Sequence, residues 1–249
     1  MMQAQEINPA TNGTDEYEGT DLDAMSHAGR YSSWIADEMR PYLGKRILEV
    51  GSGTGSFARI LLEQEPELFV ALEPSRRMFS RLKDALPTNS QVEIRTLNAT
   101  LSEAKNDLAD SGIDSIVYMN VLEHIEDHAA ELQEAFSLLR AGGALCIYVP
   151  ALPALYGPFD KRVGHFRRYT KDSLRQVAVG AGFDDISVRY RDLAGVVPFW
   201  VHSKILGYDR LEPAAVKLYD RMIPLVRLID GITRAPIGKN LLLLARKPT

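Results

Sequence analysis

The sequence predicts an α/β fold built on a mostly parallel sheet. Three observations predict it: apolar runs of strand length, helical segments between those runs, and a glycine-rich turn directly after the first run. Near-continuous apolar strands are typical of a parallel sheet that is covered on both faces. Ligands of such sheets bind outside the carboxyl ends of the strands, so we expect the functional residues at that edge.

The composition is that of an ordinary globular domain. Of the 249 residues, 45% are hydrophobic and 25% are charged. No apolar run approaches the roughly 18 residues of a membrane span, and the N-terminus lacks the basic and apolar regions of a secretory signal. The single cysteine, Cys146, lies in a predicted strand, which excludes a disulfide within the chain. We therefore expect a cytoplasmic protein with an inert, buried thiol.

Charge is unevenly distributed, although the net charge is only −4. Residues 1–29 contain six acids and no Lys or Arg, whereas residues 193–249 contain nine Lys or Arg and four acids. No basic cluster is interleaved with aromatic residues, so no nucleic-acid partner is predicted. Residues 1–20 are polar and contain turn-forming pairs, which predicts a mobile tail before a single domain over 21–249.

A helix is predicted from Leu22 to the residue before Pro41, which cannot continue it. Its apolar residues fall roughly on one face and include Tyr31 and Trp34. Two interpretations are open. The helix packs over the edge of the sheet, or it covers a bound ligand with Arg30 or Tyr31 in contact with that ligand.

The predicted first strand and the turn after it are the centre of the fold. The apolar run 47–50 is followed by glycines at positions 51, 53 and 55, and helical composition resumes at Ala58. Alternate glycines remove Cβ atoms from a sharp bend, so a ligand can approach the backbone and a helix N-terminus closely. The spacing differs from the Gly-x-Gly-x-x-Gly of dinucleotide folds, which makes a pyrophosphate the poorer match.

Four further strands alternate with helices. They are predicted over residues 68–73, 91–96, 113–120 and 144–150. The second strand ends in Glu73, which lies 22 residues beyond Gly51. An acid at that place is suited to accept both hydroxyl groups of a ribose. Asn98 follows the third strand, where its amide could reach an adenine ring.

The region after the fifth strand is rich in proline and apolar residues up to position 159 and then becomes polar. A stiff apolar segment near the strand edge suits the wall of a pocket. Thr170 is predicted to cap a helix over 171–181. A sixth strand is predicted over 188–197.

The C-terminal part is predicted to hold a helical apolar stripe kinked by Pro224, followed by an antiparallel seventh strand over 240–247. The stripe indicates a lid or a dimer face. Lys and Arg residues lie nearby, so an interfacial helix that touches a lipid-linked acceptor is the alternative.

Four segments together resemble the successive motifs of class I S-adenosylmethionine-dependent methyltransferases. They are Leu-Glu-Val-Gly-Ser-Gly-Thr-Gly at 48–55, Leu-Glu-Pro-Ser at 72–75, Asn-Val-Leu-Glu-His-Ile at 120–125 and Leu-Leu-Arg-Ala-Gly-Gly at 138–143. The resemblance covers about residues 22–190. It implies a Rossmann-like sheet with an antiparallel last strand. The predicted fold adds the N-terminal helix and, from the apolar stripe, a helical lid over 198–235. The Gly-His-Phe-Arg-Arg-Tyr-Thr loop at 164–170 is similar to a bacterial subgroup.

The resemblance implies S-adenosyl-L-methionine as the cofactor. Glu49 would serve its amino end, Glu73 would hold the ribose diol, and Asn98 would border the adenine, although many members have aspartate at that place. Gly51 and Gly53 would pass close to the cofactor. The predicted cofactor contacts are Tyr31, Glu49, Gly51, Ser52, Gly53, Gly55, Phe57, Glu73, Pro74, Met78, Asn98, Ala99, Asn120, Val121 and Leu122.

Three residues are candidates for acceptor chemistry. His124 follows the fourth strand and is either a base or a side chain that caps the backbone or packs on the cofactor. His165 and Tyr169 lie in the polar loop as base or orienter, unless that loop is only a solvated basic segment. His124 and His128 have the spacing of metal ligands, but no third ligand stands out, so no metal is predicted.

The predicted function is methyl transfer from S-adenosylmethionine to O or N of a small-molecule or peptide-like natural product. A lipid-linked or glycan acceptor is one alternative. A nicotinamide-dependent oxidoreductase is a second, which the glycine spacing opposes, and a cofactor-binding module without catalysis is a third. A homodimer and peripheral contact with lipid are compatible with the C-terminal stripe.

Overall fold

The computed structural model describes residues 25–88 and 91–249. The predicted tail over 1–20 and the predicted helix start at Leu22 lie outside these residues. The α-helices are α1 (Gly29–Met39), α2 (Ser56–Leu62), α3 (Arg76–Ala85), α4 (Leu101–Leu108), α5 (His128–Leu138), α6 (Pro158–Arg162), α7 (Lys171–Gly180), α8 (Val196–Trp200) and α9 (Pro213–Thr233). The strands are β1 (Arg46–Val50), β2 (Leu68–Leu72), β3 (Glu93–Leu97), β4 (Ser115–Met119), β5 (Ala144–Pro150), β6 (Asp184–Arg191) and β7 (Asn240–Arg246).

These strands form one sheet in the order β3-β2-β1-β4-β5-β7-β6. Neighbouring strands among β1 to β5 are parallel, whereas β7 runs antiparallel to both β5 and β6. The predicted α/β class and the antiparallel last strand are therefore confirmed. The strand order reverses between β1 and β4, and this switch point opens a crevice at the carboxyl ends of the strands.

The central strands are buried on both faces, as their apolar runs predict. Alternate residues of β1 enter different core clusters, with Leu48 in one and Ile47 in the other. Burial is complete at every position of β2 and β5. Cys146 lies in the second cluster, and burial raises its pKa to about 12. The expectation that this thiol is buried is confirmed.

Polar caps fix where several helices begin. The Thr170 hydroxyl accepts a hydrogen bond from the Ser173 N–H at 3.0 Å, which is the predicted cap of α7. Thr100 and Glu103 form a capping box at α4, and the Ser75 hydroxyl caps α3 directly after β2. Caps of this kind satisfy N–H groups that the first helical turn leaves unpaired.

The sixth strand differs from its prediction over 188–197. It ends at Arg191, and residues 196–200 form α8 instead. Asp192 has a left-handed φ of 67° and its carboxylate accepts from the Gly195 N–H at 2.9 Å, which turns the chain away from the sheet. The apolar residues after this turn resemble a strand in composition, but the pairing of β6 with β7 ends at Arg191 and Asn240.

Helix α9 packs one apolar face on the core and leaves another in solvent. Ile223 and Val226 are buried beside α1, and Arg227 pairs with Asp37 of α1 at 2.8 Å. The outer face is apolar as well and exposes Leu218, Met222, Leu225, Leu228 and Ile232. Within the described ranges, no helix is both long and apolar enough to cross a bilayer.

Candidate functional site

The glycine turn joins β1 to α2 at the carboxyl edge. Gly51, Gly53 and Gly55 all have positive φ angles, of 69°, 56° and 79°. A Cβ atom on Gly51 would lie 2.7 Å from a methyl group of Val121, so glycine is required there for the approach of the β4 end. A Cβ on Gly55 would lie 3.0 Å from Leu82 of α3. Gly55 thus serves helix packing, while Gly51 and Gly53 shape the crevice.

Glu73 connects the glycine turn to the end of β2. One carboxylate oxygen accepts from the Gly53 N–H at 2.7 Å and the other from the Ser75 N–H at 2.9 Å. Burial raises the pKa of Glu73, and these two N–H bonds oppose the rise. Each oxygen retains a lone pair, so the carboxylate can still accept from a ligand diol.

Asn98 holds the segment that follows Glu73. Its amide nitrogen donates to the carbonyl oxygens of Glu73 at 2.9 Å and Pro74 at 3.0 Å. An adenine contact through this side chain would therefore use its amide oxygen. Ala99 is half-buried and packs against the core.

Glu49 lies near the carboxyl end of β1 with 1% of its surface exposed. Its Oε2 atom has no hydrogen-bond partner among residues 25–88 and 91–249. Burial raises its pKa to about 7, and the charge of Glu73 adds to the rise. A buried carboxylate with an unpaired oxygen is costly unless a cationic group reaches it. The site thus fits a ligand that carries a cation at one end and a diol further along.

The remaining predicted contacts divide between the crevice and the core. Asn120 directly follows β4 and has a left-handed conformation (φ 54°). Its N–H donates to the Tyr148 carbonyl at 2.8 Å. Asparagine tolerates this conformation better than most residues. Four other predicted contacts are buried: Ser52, Phe57, Met78 and Leu122. Their roles toward a cofactor stay predictions, as does that of every residue in the predicted set.

Tyr31 belongs to a buried polar cluster beneath α9. Its hydroxyl bonds to that of Tyr148 at 2.5 Å and donates to Asp192 at 3.1 Å. Asp192 is fully buried, accepts from Tyr219 and pairs with Lys239 at 3.0 Å. The predicted contact of Tyr31 with the cofactor would have to use its ring, because internal partners occupy its hydroxyl.

A second polar cluster joins the end of β4 to the loop before α7. The imidazole of His165 bonds through Nδ1 to Asp160 at 2.8 Å, and its Nε2 lies 3.9 Å from Glu123. The ring of His165 meets that of His124 edge to face, with centroids 4.6 Å apart. Arg168 donates to the same Asp160 oxygen at 2.8 Å. The fold thus brings His165 into contact with Glu123 and His124, which precede it by about 40 residues.

Burial sets the ionisation of this cluster. It lowers the pKa of His124 to about 3, an effect that the neighbouring His165 increases. It raises the pKa of Glu123 to about 7, although His165 and Arg168 act in the opposite direction. For Asp160, burial is the largest effect, but the bonds from His165, Arg168 and Gly157 outweigh it and hold the pKa below its usual value.

Tyr169 fixes the loop that precedes α7. Its hydroxyl donates to the Leu122 carbonyl at 3.2 Å and pairs with Nδ1 of His128 at 2.8 Å. Burial raises its pKa far above the usual value. Tyr169 therefore binds the loop to the β4 end, and its catalytic role stays a prediction. His128, which its spacing places one helical turn from His124, pairs with this tyrosine.

Glu123 and Asp160 are site residues that the sequence prediction did not select. Both are completely buried. Asp160 is hydrogen-bonded to His165 at 2.8 Å, and Glu123 lies 3.9 Å from the same imidazole. The sequence pattern that could have indicated Glu123 is an acid close to apolar residues, in Leu122-Glu123-His124-Ile125. Acids at such places are seldom buried without a partner.

The comparisons with known proteins agree on one family. A family model described as "Methyltransferase domain" matches residues 16–188, more than half of the chain. A tRNA U34 carboxymethyltransferase of Syntrophotalea carbinolica is 32% identical over 113 residues, which are 45% of this chain and 34% of that protein. A probable S-adenosylmethionine-dependent methyltransferase of Mycobacterium tuberculosis is 24% identical over 171 residues, 68% of this chain and 60% of that protein.

A solved structure shares the fold. Phosphoethanolamine N-methyltransferase 2 of Haemonchus contortus, in complex with S-adenosyl-L-methionine, superposes with a TM-score of 0.64 at 14% identity over 98% of this chain and 62% of that one. This likeness concerns the fold alone. The chain spans about a third and three fifths of the length of the two curated relatives, 34% and 60%.

Proposed function

Because this chain belongs to the S-adenosylmethionine-dependent methyltransferase family, we propose that it transfers the cofactor's methyl group to O or N of a small-molecule or peptide-like acceptor. The observation that carries the proposal is the pair of buried acids on adjacent strands, Glu49 and Glu73. One has an unpaired oxygen and the other a carboxylate fixed by two backbone N–H groups.

The crevice residues fit this cofactor. Glu49 would hold the α-amino group, since its free oxygen suits a cation, and Glu73 would hold the ribose hydroxyls. The space on the Cβ side of Gly51 is taken by Val121, so Gly53 is the glycine that would let the ligand lie against the backbone. When bound, S-adenosylmethionine supplies a methyl group on a sulfonium centre that is already activated for displacement. The chain therefore has mainly to align the acceptor with that group.

The β4 end supports an acceptor role for the cluster around His165. A hydroxyl acceptor needs a group that takes its proton as it attacks, whereas a neutral amine does not. Asp160 accepts the Nδ1 hydrogen of His165, an assignment made from the hydrogen-bond pattern, and this leaves the Nε2 lone pair for a proton. His124 is a weaker candidate base because burial lowers its pKa to about 3.

Family membership does not select the acceptor. The names of relatives and neighbours state acceptors as different as tRNA U34 and phosphoethanolamine. A lipid-linked or otherwise amphiphilic acceptor is the second candidate, and the exposed apolar face of α9 favours it. The predicted homodimer is a competing use of the same face.

Two measurements test the proposal. Calorimetric titrations with S-adenosylhomocysteine and with NAD separate the methyltransferase from the oxidoreductase. Micromolar binding of the first ligand alone supports the proposal, and binding of NAD alone would contradict it. Incubation with methyl-labelled cofactor and fractionated cell extract then locates the label. Label in small molecules or peptides supports the acceptor class, and label only in RNA would contradict it.

A further inference from the structure

We propose that Glu123, His124 and His165 form a binding site for one divalent transition-metal ion of the Zn²⁺ type. One carboxylate oxygen and one nitrogen of each imidazole lie within 4.8 Å of one another. Glu123 is 0% exposed, and the side chain of His165 is 8% exposed. A carboxylate with two imidazoles is a ligand set that both catalytic zinc and non-haem iron use.

The carboxylate of Glu123 is suited to bind a cation. Neither of its oxygens has a hydrogen-bond partner in the described part of the chain, although the residue is fully buried. Its distance of 3.9 Å from His165 Nε2 is too long for a hydrogen bond. Two ligands of one ion at a bond length of about 2.1 Å lie roughly 3–4 Å apart. The Glu123–His165 separation falls in that range, and separations of up to 4.8 Å among the three ligand atoms would have to shorten on binding.

Both imidazoles have the outer partners that metal-binding histidines need. Nδ1 of His165 bonds to the buried Asp160, which directs Nε2 toward Glu123. The backbone of Val163 and Gly164 hydrogen-bonds to the imidazole of His124. A carboxylate or a carbonyl on the far nitrogen fixes the tautomer and orientation of a ligating histidine.

The charge of the cluster also favours a cation. Glu123 and Asp160 bring two carboxylates into the interior, and Arg168 supplies one guanidinium, which bonds to Asp160. Because that guanidinium bonds to Asp160, the carboxylate of Glu123 has no hydrogen-bonded cation among the described residues, which is unfavourable for a buried carboxylate. A divalent ion at Glu123 would compensate it without a proton on either histidine.

Two of the three ligands, Glu123 and His124, lie within six residues after β4, at the edge where the proposed function puts the acceptor. The inference deepens that proposal, on which its role in catalysis rests: a bound ion would lower the pKa of an acceptor hydroxyl so that its proton passes to water, and it would take the place of His165 as the group that enables the attack. Metal binding itself needs neither cofactor nor acceptor, so it is tested alone.

The test uses untagged, full-length protein, because a polyhistidine tag would bind the same ions. The chain is equilibrated with Zn²⁺, passed into metal-free buffer and analysed for metal by mass spectrometry. One equivalent of zinc per chain is expected, and Mg²⁺ should not displace it. Co²⁺ should give visible absorption bands that Zn²⁺ removes, which is a readout on the wild-type protein.

Variants locate the ion. Glu123→Gln and His165→Asn should each lower zinc affinity at least tenfold. Asp160→Asn should lower it by about 10–100-fold, because Asp160 orients the imidazole of His165. His27→Gln, at an exposed histidine, should bind like wild type. Retention of S-adenosylhomocysteine binding in each variant shows that it has folded and that the cofactor site is intact.

Two results would overturn the inference. One is wild-type protein that binds S-adenosylhomocysteine but retains less than a tenth of an equivalent of metal. The other is full zinc affinity in both Glu123→Gln and His165→Asn. Absence of S-adenosylhomocysteine binding in wild-type protein, by contrast, would contradict the proposed function. The zinc content of the wild type and its variants would still decide whether the metal site exists.

Discussion

The two ends of the crevice are built in different ways. The side proposed for the cofactor consists of short segments that directly follow β1 and β2, and its key bond joins Gly53 to Glu73 across adjacent strands. The side proposed for the acceptor joins the β4 end to a loop some 40 residues later, through contacts such as His165 with Glu123 and His124. The cofactor side is thus built by segments next to the strands themselves. The acceptor side depends on how the loop before α7 packs against the end of β4.

This difference teaches where specificity can vary. Backbone N–H groups and glycines hold the first side, so few substitutions are compatible with its geometry. Side chains of a loop build the second side, and loops can change their residues without disturbing the sheet. Substitutions on the first side should therefore act on cofactor affinity, and substitutions on the second on turnover.

The largest effect is expected at the glycine turn. Gly53→Asp places a Cβ on a backbone with a φ of 56° and a negative charge beside Glu73. Affinity for S-adenosylhomocysteine, measured by calorimetry, should fall at least about 100-fold, since left-handed strain and like-charge repulsion add. Gly180→Ala, at a helical position with nothing within 4 Å, is the control. Binding within threefold of wild type would place the cofactor elsewhere.

His165→Ala tests the other side. Turnover of an identified acceptor should fall by roughly 100-fold, because proton transfer to a positioned group contributes about 10²–10⁴-fold. The dissociation constant of S-adenosylhomocysteine should stay unchanged, since His165 contacts Asp160 and the β4 end. His27→Ala is the matched control. Lost cofactor affinity with intact turnover would reverse the assignment of the two sides.

Glu73→Ala should weaken cofactor binding by about 1–3 kcal/mol through loss of charge-assisted hydrogen bonds. The same substitution also removes the bonds to the Gly53 and Ser75 N–H groups. Titration with S-adenosylhomocysteine measures the effect. Glu63→Ala, at an exposed acid after α2, should leave the affinity as it is. Equal affinity in both variants would move the ribose away from β2.

Glu49 links cofactor binding to the pH dependence of stability. Its pKa is about 7 when folded, against an ordinary value of 4.5. Between these values the folded chain binds more protons than the unfolded one, so stability falls as the pH rises through that window, by up to about 3 kcal/mol from this residue. Urea unfolding of Glu49→Gln should therefore show a smaller loss between pH 5 and pH 8 than wild type.

Glu63→Gln should keep the wild-type pH dependence, because Glu63 is exposed. The Glu49→Gln variant should also bind S-adenosylhomocysteine less tightly, since a neutral amide replaces the partner of a cationic amino group. An unchanged difference between pH 5 and pH 8 would show that Glu49 is ionised in the folded state at both pH values.

The smallest effect is expected on the outer face of α9. Leu225→Glu should lower co-flotation with anionic vesicles several-fold if that face meets lipid, because it replaces one of five exposed apolar side chains. Val179→Glu, on the exposed side of α7, is the matched control. If wild-type protein does not float at all, an amphiphilic acceptor at a membrane surface is contradicted.

Much of the first side was predictable because its signals are local in sequence. The apolar runs of β1, β2 and β5 set the sheet, and an acid at position 73 follows β2 at a fixed offset from the glycines. The sixth strand was misplaced because apolar residues after Asp192 imitate an edge strand. Strand β6 ends because Asp192 has a positive φ and bonds to Gly195. Neither feature can be predicted from the amino-acid composition of the segment.

The second side was predictable only in part. His165 and His124 stand out as residue types, but their ring contact and the burial of Glu123 and Asp160 arise from the return of the loop across β4. Hydrophobic periodicity does not encode such contacts between distant segments. For the same reason, the sequence alone suggested that His124 and His128 act as a pair. In the structure, His128 instead pairs with Tyr169.

The most direct test of the cofactor assignment is the electron density of a complex with S-adenosylhomocysteine. The ribose hydroxyls are expected within hydrogen-bond distance of the Glu73 carboxylate, and the α-amino group is expected at the unpaired oxygen of Glu49. Density that leaves Glu73 bonded only to Gly53 and Ser75, with the nucleoside bound elsewhere, would contradict the assignment.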